Sequence, residues 1–260
     1  SSYFALDVTD SATPGLLWEF SDPALGYSTS GPAIVRIGDS SQNGKWFAVF
    51  ASGPTGPIDT LNRQFLGKSN QNLKLFVVDL KTGTLVRTID TGIQNAFGGS
   101  LSNATIDTER GTMAAGYYKD DVIYLGYTQC AVDDQSTCTA SSTWTKGGVL
   151  RVVTKENSDP AQWSVSLVMN KRTTMSGDVP LGPVTSAVVK LQDRAKKNLW
   201  LYFGTGRFYY RTGIAVDDSS NQRILYGLKE PCYSTATGPD NDIQNTCSSS
   251  VSTGLVDQST

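Results

Sequence analysis

The most regular pattern of apolar residues lies between residues 73 and 92. Two short apolar runs, LKLFVVDL and TLVRTID, flank the segment Lys81-Thr82-Gly83, and a tight turn with glycine at positive φ would fold them into an antiparallel hairpin. The first run has apolar residues at alternating positions on both faces: Leu73, Leu75 and Val77 on one, Phe76 and Val78 on the other. Because both faces are apolar, we expect this sheet to lie between two other sheets.

The same pattern recurs along the chain. Leu75, Leu150 and Leu225 occupy matching positions of three strands, 75 residues apart each time. A second type of strand recurs at 46–50, 122–127 and 199–203, and a third type is expected to open each unit at 31–35, 102–106 and 182–186. Four strands per unit, with no helix between them, are typical of propeller blades.

The predicted fold is therefore all-β: a β-propeller with quinoprotein-like blades of four antiparallel strands. The predicted organisation is a propeller segment over 1–230, with a partial blade at 1–22 and blades at 31–92, 99–169 and 181–229, and a polar, disulfide-held tail over 231–260 that continues the same domain. Propellers commonly close with four to eight blades. We therefore expect an arc of a larger ring, from a processed or longer protein.

Polar inserts interrupt the predicted blades between their second and third strands, at 52–72 and 129–147. Such loops usually carry binding while strands carry packing. The second insert contains Asp133, Asp134 and Trp144, which are candidate partner-binding residues. For Trp144 two interpretations stay open, an exposed contact residue or local packing against a disulfide.

The four cysteines form two local pairs, Cys130 with Cys138 and Cys232 with Cys247, within segments rich in Ser, Thr, Asp and Asn. We predict two loop-closing disulfides in an oxidising compartment. In the chain-entropy model, each would stabilise the fold by about 2 to 3 kcal/mol.

Composition excludes several functions. Lys and Arg total 22 against 24 for Asp and Glu, a net charge of -2, so nucleic acid is a poor partner. No run approaches the roughly 18 apolar residues of a membrane span. The sequence has no histidine, which excludes a Ser-His-Asp site and removes the commonest zinc ligand.

An ordered set of segments resembles a known family. SSYFALDVTDSATPGLLWEFSD, LGYSTSGPAIVRI, GKWFAVFASG, LKLFVVDLKTGTLVRTIDTG, LGPVTSAVV, NLWLYFGTGRF and ILYGLKEPC occur in that order over residues 1–235. The set resembles the C-terminal propeller of the PilC/PilY proteins of bacterial type IV pili. The most specific part is the pair FGTGRF and YGLKEP.

The resemblance implies a secreted, non-enzymatic protein that is exported through the periplasm and associates with minor pilins at the pilus tip. It would act in pilus assembly and in adhesion to a host or abiotic surface. Some proteins of this family hold calcium in an acidic loop. The matching residues here are Asp107 and Glu109, but Tyr118 stands where a bidentate glutamate is expected, so a charged turn is favoured and calcium stays a candidate cofactor.

Other acidic clusters are expected to be solvated turns: Asp217-Asp218 with Asn221, and Asp240 with Asn241 and Asp242. A site of six to eight oxygens could still assemble from several of them. Two alternatives to adhesion and assembly remain. A quinoprotein-type dehydrogenase would need axial carboxylates that no spacing singles out, and a structural scaffold in a surface fibre would differ only in what its loops contact.

Overall fold

The computed structural model describes residues 1–39, 43–109, 111, 115–131, 138, 144–209, 211–212, 215–216 and 223–254. These residues form antiparallel β-sheets, with a short 3-10 turn at Pro160–Gln162. The predicted all-β class is confirmed. In this part of the chain, no helix has the length and apolar character needed to cross a bilayer.

The N-terminal half contains a hairpin and a four-stranded sheet. The hairpin pairs β1 (Tyr3–Asp7) with β2 (Gly15–Phe20). The strands that follow are β3 (Ala33–Ile37), β4 (Lys45–Ala51), β5 (Ile58–Asp59), β6 (Gln64–Phe65), β7 (Lys74–Asp79) and β8 (Leu85–Asp90). The order β3-β4-β7-β8 forms the first sheet, and β5 pairs with β6 inside the insert at 52–72.

The C-terminal half contains two further sheets. Its strands are β9 (Ala96–Gly98), β10 (Thr105–Ile106), β11 (Val122–Gln129), β12 (Lys146–Val153), β13 (Ser164–Met169), β14 (Lys171–Thr174), β15 (Gly177–Pro180), β16 (Val189–Asp193), β17 (Asn198–Gly204), β18 (Arg211–Thr212), β19 (Ala215–Val216) and β20 (Leu225–Lys229). The second sheet has the order β10-β11-β12-β13, with β9 also paired to β11. The third sheet is β16-β17-β20, while β14-β15 and β18-β19 form separate hairpins.

The sheets pack face to face in chain order. One core lies between the N-terminal hairpin and the first sheet and contains Phe76 and Val78. A second core lies between the first and second sheets and contains Leu75 and Val77. A third joins the second sheet to the third sheet. The predicted assignment of the two faces of β7 is confirmed, but the described residues do not form a closed ring.

The β7–β8 hairpin follows the predicted turn. Gly83 has φ +73°, and the carboxylate of Asp79 accepts the backbone N–H of Lys81 and of Thr82 at 3.0 and 2.9 Å. A Cβ added at Gly83 would lie 2.6 Å from the Cβ of Trp18 on the N-terminal hairpin. Glycine is therefore required here both for the turn and for the approach of the neighbouring layer.

One predicted strand is wrong. Residues 182–186 do not open the third sheet, which begins with β16 at Val189. Instead Val184 N–H donates to Tyr127 O and Thr185 O accepts from Ser100, while Gly206, just after β17, donates to Pro183 O. The segment therefore lies between the ends of the second and third sheets, where Val184 forms an isolated bridge with Gly206. Pro183 has no N–H to offer a sheet ladder, which is consistent with this irregular path.

A buried ion pair crosses the interface of the second and third sheets. Arg151 on β12 donates to Glu230, which follows β20, and both side chains are fully buried. The guanidinium also donates to Ser166 Oγ at 2.9 Å and to the backbone oxygens of Leu167 and Ser249. Ser249 belongs to the C-terminal tail, so this one side chain holds together two sheets and the tail.

We expect Gly83→Ala to destabilise the protein more than Gly92→Ala. Both glycines have φ +73°, but a Cβ at Gly92 meets nothing within 4 Å. Left-handed strain alone costs about 1 to 2 kcal/mol, and the collision with Trp18 adds about 1 to 3 kcal/mol. Urea unfolding of the two variants measures the difference, and equal losses would contradict a tight hairpin contact.

Arg151→Met is expected to lower the free energy of unfolding by about 3 to 5 kcal/mol, because it leaves the Glu230 carboxyl buried without its partner. The double variant Arg151→Met/Glu230→Leu should recover part of that loss. As a control, Lys171→Met breaks the exposed pair with Asp178 and should cost about 0 to 1 kcal/mol. Denaturant melts of all three variants test this, and a harmless Arg151→Met would refute it.

Candidate acidic site at one end of the second sheet

Four carboxylates meet at one end of the second sheet. Glu109 follows β10, Asp121 precedes β11, Glu156 follows β12, and Asp242 lies in the C-terminal tail. One oxygen from each lies within 4.8 Å of the others. These four residues are called the acidic site below.

Antiparallel pairing brings three of these residues together. Ile106 of β10 is opposite Val122 of β11, which is itself opposite Val153 of β12. Residues just after β10, just before β11 and just after β12 must therefore lie at the same end of the sheet. The pairing register, rather than proximity in sequence, assembles this part of the site.

Asp242 reaches the site because the loop that carries it is anchored on both sides. The disulfide between Cys232 and Cys247 closes the loop, and Tyr233 forms a bridge with Ile243. Both Tyr233 and Ile243 are buried in the core between the second and third sheets. The loop therefore holds Asp242 against the sheet end.

Thr108 lies at the centre of the hydrogen bonds. Its N–H donates to Asp121 Oδ2 at 2.6 Å, and its hydroxyl lies 2.8 Å from that oxygen and 3.0 Å from Asp242 Oδ1. A hydroxyl has one proton, so it serves the two carboxylates in turn. The carbonyl of Thr108 accepts from Gln192 and Arg194, at 2.8 and 2.9 Å.

Acceptors outnumber donors around the site. Lys119 pairs with Glu156 at 3.2 Å. Within the described residues, however, Glu109 Oε2 and Gln192 Oε1 are buried without a hydrogen-bond partner. A buried acceptor without a donor costs about 1 to 3 kcal/mol, so the site needs protons or a cation.

Burial and mutual repulsion change the acidity of these groups. Burial raises the pKa of Asp121 to about 8, and the charge of Asp242 adds to the effect. Burial, then the charges of Asp242 and Glu156, raise the pKa of Glu109 to about 7. The pKa of Asp242 is also raised, mainly by burial. Glu109, Asp121 and Asp242 therefore resist ionising together.

The predicted metal pair is divided between two environments. Glu109 belongs to the acidic site, but Asp107 does not: its carboxylate contacts Arg36 at 3.3 Å and accepts the N–H of Glu109 and Tyr118, each at 3.0 Å. The four carboxylates that do converge offer oxygen ligands of the kind that a divalent cation accepts. These ligands come from four separate segments of the chain, whereas the sequence predicted ligands from one continuous loop that begins at Asp107.

The prediction of a solvated turn at 240–242 is partly wrong. Asp240 is exposed and pairs with Lys197, as a turn residue would. Asp242 is instead drawn into the acidic site, because its loop is anchored in the core. Asp217, Asp218 and Asn221 lie outside the described residues.

The other end of β11 carries the inserts. Trp144 is buried and packs on Phe97, with ring centroids 5.9 Å apart, and on the Cys130–Cys138 disulfide. The interpretation of Trp144 as a locally packed residue is therefore correct, and its interpretation as an exposed contact residue is wrong. Asp133 and Asp134 lie outside the described residues. Both predicted disulfides are present.

Aromatic contacts join inserts from different sheets at that end. Phe65, from the insert at 52–72, contacts Tyr209 at 6.0 Å between ring centroids, and Tyr209 contacts Phe97 at 5.6 Å. Gln64 also exchanges two hydrogen bonds with the backbone of Arg211. We call this surface the insert end.

Comparison with known proteins found relatives but no matching family model. The chain is 26% identical, over 237 residues, to the type IV pilus biogenesis factor PilY1 of Pseudomonas aeruginosa strain UCBPP-PA14, which covers 86% of this chain and 18% of that protein. It is 36% identical over 95 residues to a PilY1 homolog of Xylella fastidiosa, covering 34% of this chain and 5% of that one. The chain thus spans less than a fifth of these relatives.

A solved structure shares the fold. The crystal structure of the Pseudomonas aeruginosa PilY1 C-terminal domain superposes with a TM-score of 0.59 at 22% identity. The match covers 96% of this chain and 46% of that domain.

In the presence of a chelator, we expect stability to fall as pH rises from about 4 to about 8. Unfolded carboxyl groups ionise near pH 4, whereas native Asp121 keeps its proton until about pH 8, so the native state binds more protons across this interval. Asp121→Asn should reduce the loss between pH 5 and pH 8, measured by urea unfolding.

The control is Asp178→Asn at an exposed carboxylate whose pKa is lowered, chiefly by its hydrogen bond with Lys171. Asp178 finishes ionising below pH 5, so this variant should show the same change of unfolding free energy between pH 5 and pH 8 as the parent. If the stability of Asp121→Asn changed with pH in the same way as that of the parent, the raised pKa of Asp121 would be contradicted.

Proposed function

Since the chain is a homologue of the PilY1 proteins, we propose that it is the corresponding part of a secreted type IV pilus biogenesis protein that acts in pilus assembly and surface attachment at the pilus tip. The resemblance to the PilC/PilY family that the sequence indicates is confirmed. One observation carries the proposal: similarity to PilY1 extends over 86% of this chain and is accompanied by the fold of its C-terminal domain. Two disulfides fit a location outside the cytoplasm.

Within this proposal, the sheets are consecutive blades of a propeller. Face-to-face packing in chain order supports that arrangement. The outer faces of the series support it too, because they expose apolar side chains that further blades would cover. Phe4 and Leu17 of the N-terminal hairpin are 63% and 60% exposed, and Leu225 of the third sheet is 78% exposed.

The insert end is the surface that we propose for attachment. It gathers segments from three parts of the chain around Phe65, Tyr209 and Phe97, so that exposed side chains are carried on a packed base. Leu61 is 89% exposed there and Phe208 is 59% exposed. The Cys232–Cys247 loop lies at the opposite end of β11, beside the acidic site.

The proposed role is non-enzymatic. A chain without histidine has no general base of the commonest kind, and the carboxylates that do converge belong to a sheet end beside the tail. The quinoprotein dehydrogenase and the structural scaffold remain the alternatives that the following experiment separates from adhesion.

The test replaces the chromosomal gene of the bacterium that encodes this protein. We expect an in-frame deletion of these residues to abolish sheared surface pili and twitching, because assembly depends on them. Leu61→Asp with Phe208→Asp should leave pili in place but reduce surface attachment several-fold, since charge replaces the exposed apolar contacts. Met175→Asp, at an exposed hairpin tip near the tail, is the matched control and should behave as the parent.

Normal piliation and attachment in the deletion strain would overturn the proposal. Normal attachment in the Leu61 and Phe208 double variant would move the adhesive surface away from the insert end. A scaffold would show normal attachment with weakened fibres. A dehydrogenase would show quinone-dependent turnover.

A further inference from the structure

We infer that the open edge of β13 and the groove beside it bind an extended, uncharged peptide segment of a partner protein, which adds to the second sheet as a further strand. The groove lies between this sheet and the link from β8 to β9, and its volume is about 510 Å³. We call it the edge groove, and its lining comprises residues 91–94, 127, 129, 150, 165–167 and 170. This inference goes beyond the proposed pilus function and does not depend on it.

Strand β13 is the last strand of the second sheet, whose order is β10-β11-β12-β13. No strand in the described part of the chain pairs with its outer side. Other contacts occupy the backbone at its two ends: Arg87 on β8 donates to Trp163 O at 3.0 Å, and Val251 of the tail donates to Val168 O at 2.8 Å. The interval 164–167 is therefore where an incoming strand can reach the edge.

The edge groove reaches the backbone of β13. The hydroxyl of Ser166 accepts from Arg151 Nε at 2.9 Å, on the face of the second sheet that packs against the third sheet. Ser166 nevertheless lines the groove on the other face, so it does so through its backbone. Leu167 O accepts from the same guanidinium, which leaves residues 164–166 for pairing, a length of roughly 10 Å.

The polar side chains of the edge groove are neutral. Among the residues that the structure describes, no Lys, Arg, Asp or Glu lines it, and its polar groups include the amides of Gln94, Gln129 and Asn170. A charged ligand would lose its hydration there without gaining an opposite charge. Peptide groups are neutral and carry both a donor and an acceptor, which an amide side chain can match.

Two of these amides lie together at one end of the groove. Gln129, the last residue of β11, donates through Nε2 to Gln94 O at 3.2 Å, and the side chain of Gln94 is exposed. This bond uses one N–H of the Gln129 amide, which has a second N–H and an oxygen. The strand edge and the two amides thus offer hydrogen bonds on different sides of the groove.

The apolar part of the lining favours a peptide over a saccharide. Leu150 is 3% exposed, and three half-buried aliphatic side chains pack against the same core: Ile93, Val165 and Leu167. Tyr127, the aromatic residue among the described lining residues, is 1% exposed and offers no open ring face for a sugar to stack on. Aliphatic surface beside a strand edge instead accepts apolar side chains from alternate positions of an added strand.

Nuclear magnetic resonance titration of the protein tests the site. The probes are acetylated and amidated hexapeptides in which Val or Leu alternates with Ser or Thr. We expect saturable shifts of the backbone amides of residues 164–166 and of the side-chain amides of Gln94 and Gln129. The same hexapeptides with Asp or Lys at the apolar positions should bind about tenfold more weakly or worse, because the groove holds no opposite charge.

The double variant Gln94→Ala/Gln129→Ala should lower the affinity about fivefold or more, because it removes both amides at that end of the groove. Gln162→Ala is the matched control, since Gln162 is also exposed and lies just before β13, but outside the edge groove. It should bind the hexapeptides as the parent does. Unchanged amide shifts far from the groove verify that each variant is folded.

Absence of binding by every hexapeptide at millimolar concentration would overturn the inference. So would binding that shifts amides outside the edge groove and is unaffected by the double variant. Binding of maltohexaose without binding of the hexapeptides would also overturn it, because the groove would then be a saccharide site.

Discussion

The fold of this protein depends on the need to cover both faces of its inner sheets. Strand β7 places Leu75 and Val77 in one core and Phe76 and Val78 in another, so the first sheet is stable only between two apolar neighbours. The second sheet is covered in the same way, by the first sheet and the third. Each layer therefore stabilises the next, and the N-terminal hairpin covers the outer face of the first sheet.

Two-sided burial also explains where charge is tolerated. Arg151 lies inside this layered core, where an isolated guanidinium would be costly, and it is matched by Glu230 and by three oxygen acceptors from β13 and the tail. The acidic site lacks such matching, although Lys119 compensates part of its charge. In each cluster one carboxylate oxygen, Glu230 Oε2 or Glu109 Oε2, is buried without a hydrogen-bond partner in the described part of the chain, so neither cluster is fully satisfied.

Local features of the sequence were sufficient to predict much of this structure. The turn at Gly83 and the alternation in β7 depend on neighbouring residues, and both cysteine pairs are close in sequence. The prediction of a strand at 182–186 was wrong because it relied on the repeat alone. The third sheet begins instead where a strand pairs with β17, as Leu191 does with Trp200. Repeats predict the number of strands better than their ends.

Long-range features could not be read from the sequence. Glu156 and Asp242 are brought together by sheet register and by the anchoring of a loop, and neither has a motif around it. Trp144 has the sequence context of an exposed loop residue, yet Phe97, from the strand that pairs with β11, covers it. Only one useful signal was available for the site: acidic residues within three positions of the ends of β10, β11 and β12, since antiparallel pairing collects such positions.

The disulfide between Cys232 and Cys247 has a mechanical consequence. If the chain is stretched from its two ends, tension passes through the sulfur atoms, and the 15-residue interval between them is not extended. An unbridged segment of that length would span roughly 50 Å when pulled straight. Asp242 is therefore shielded from traction along the chain, and it can keep its place beside the sheet when flanking segments are under load.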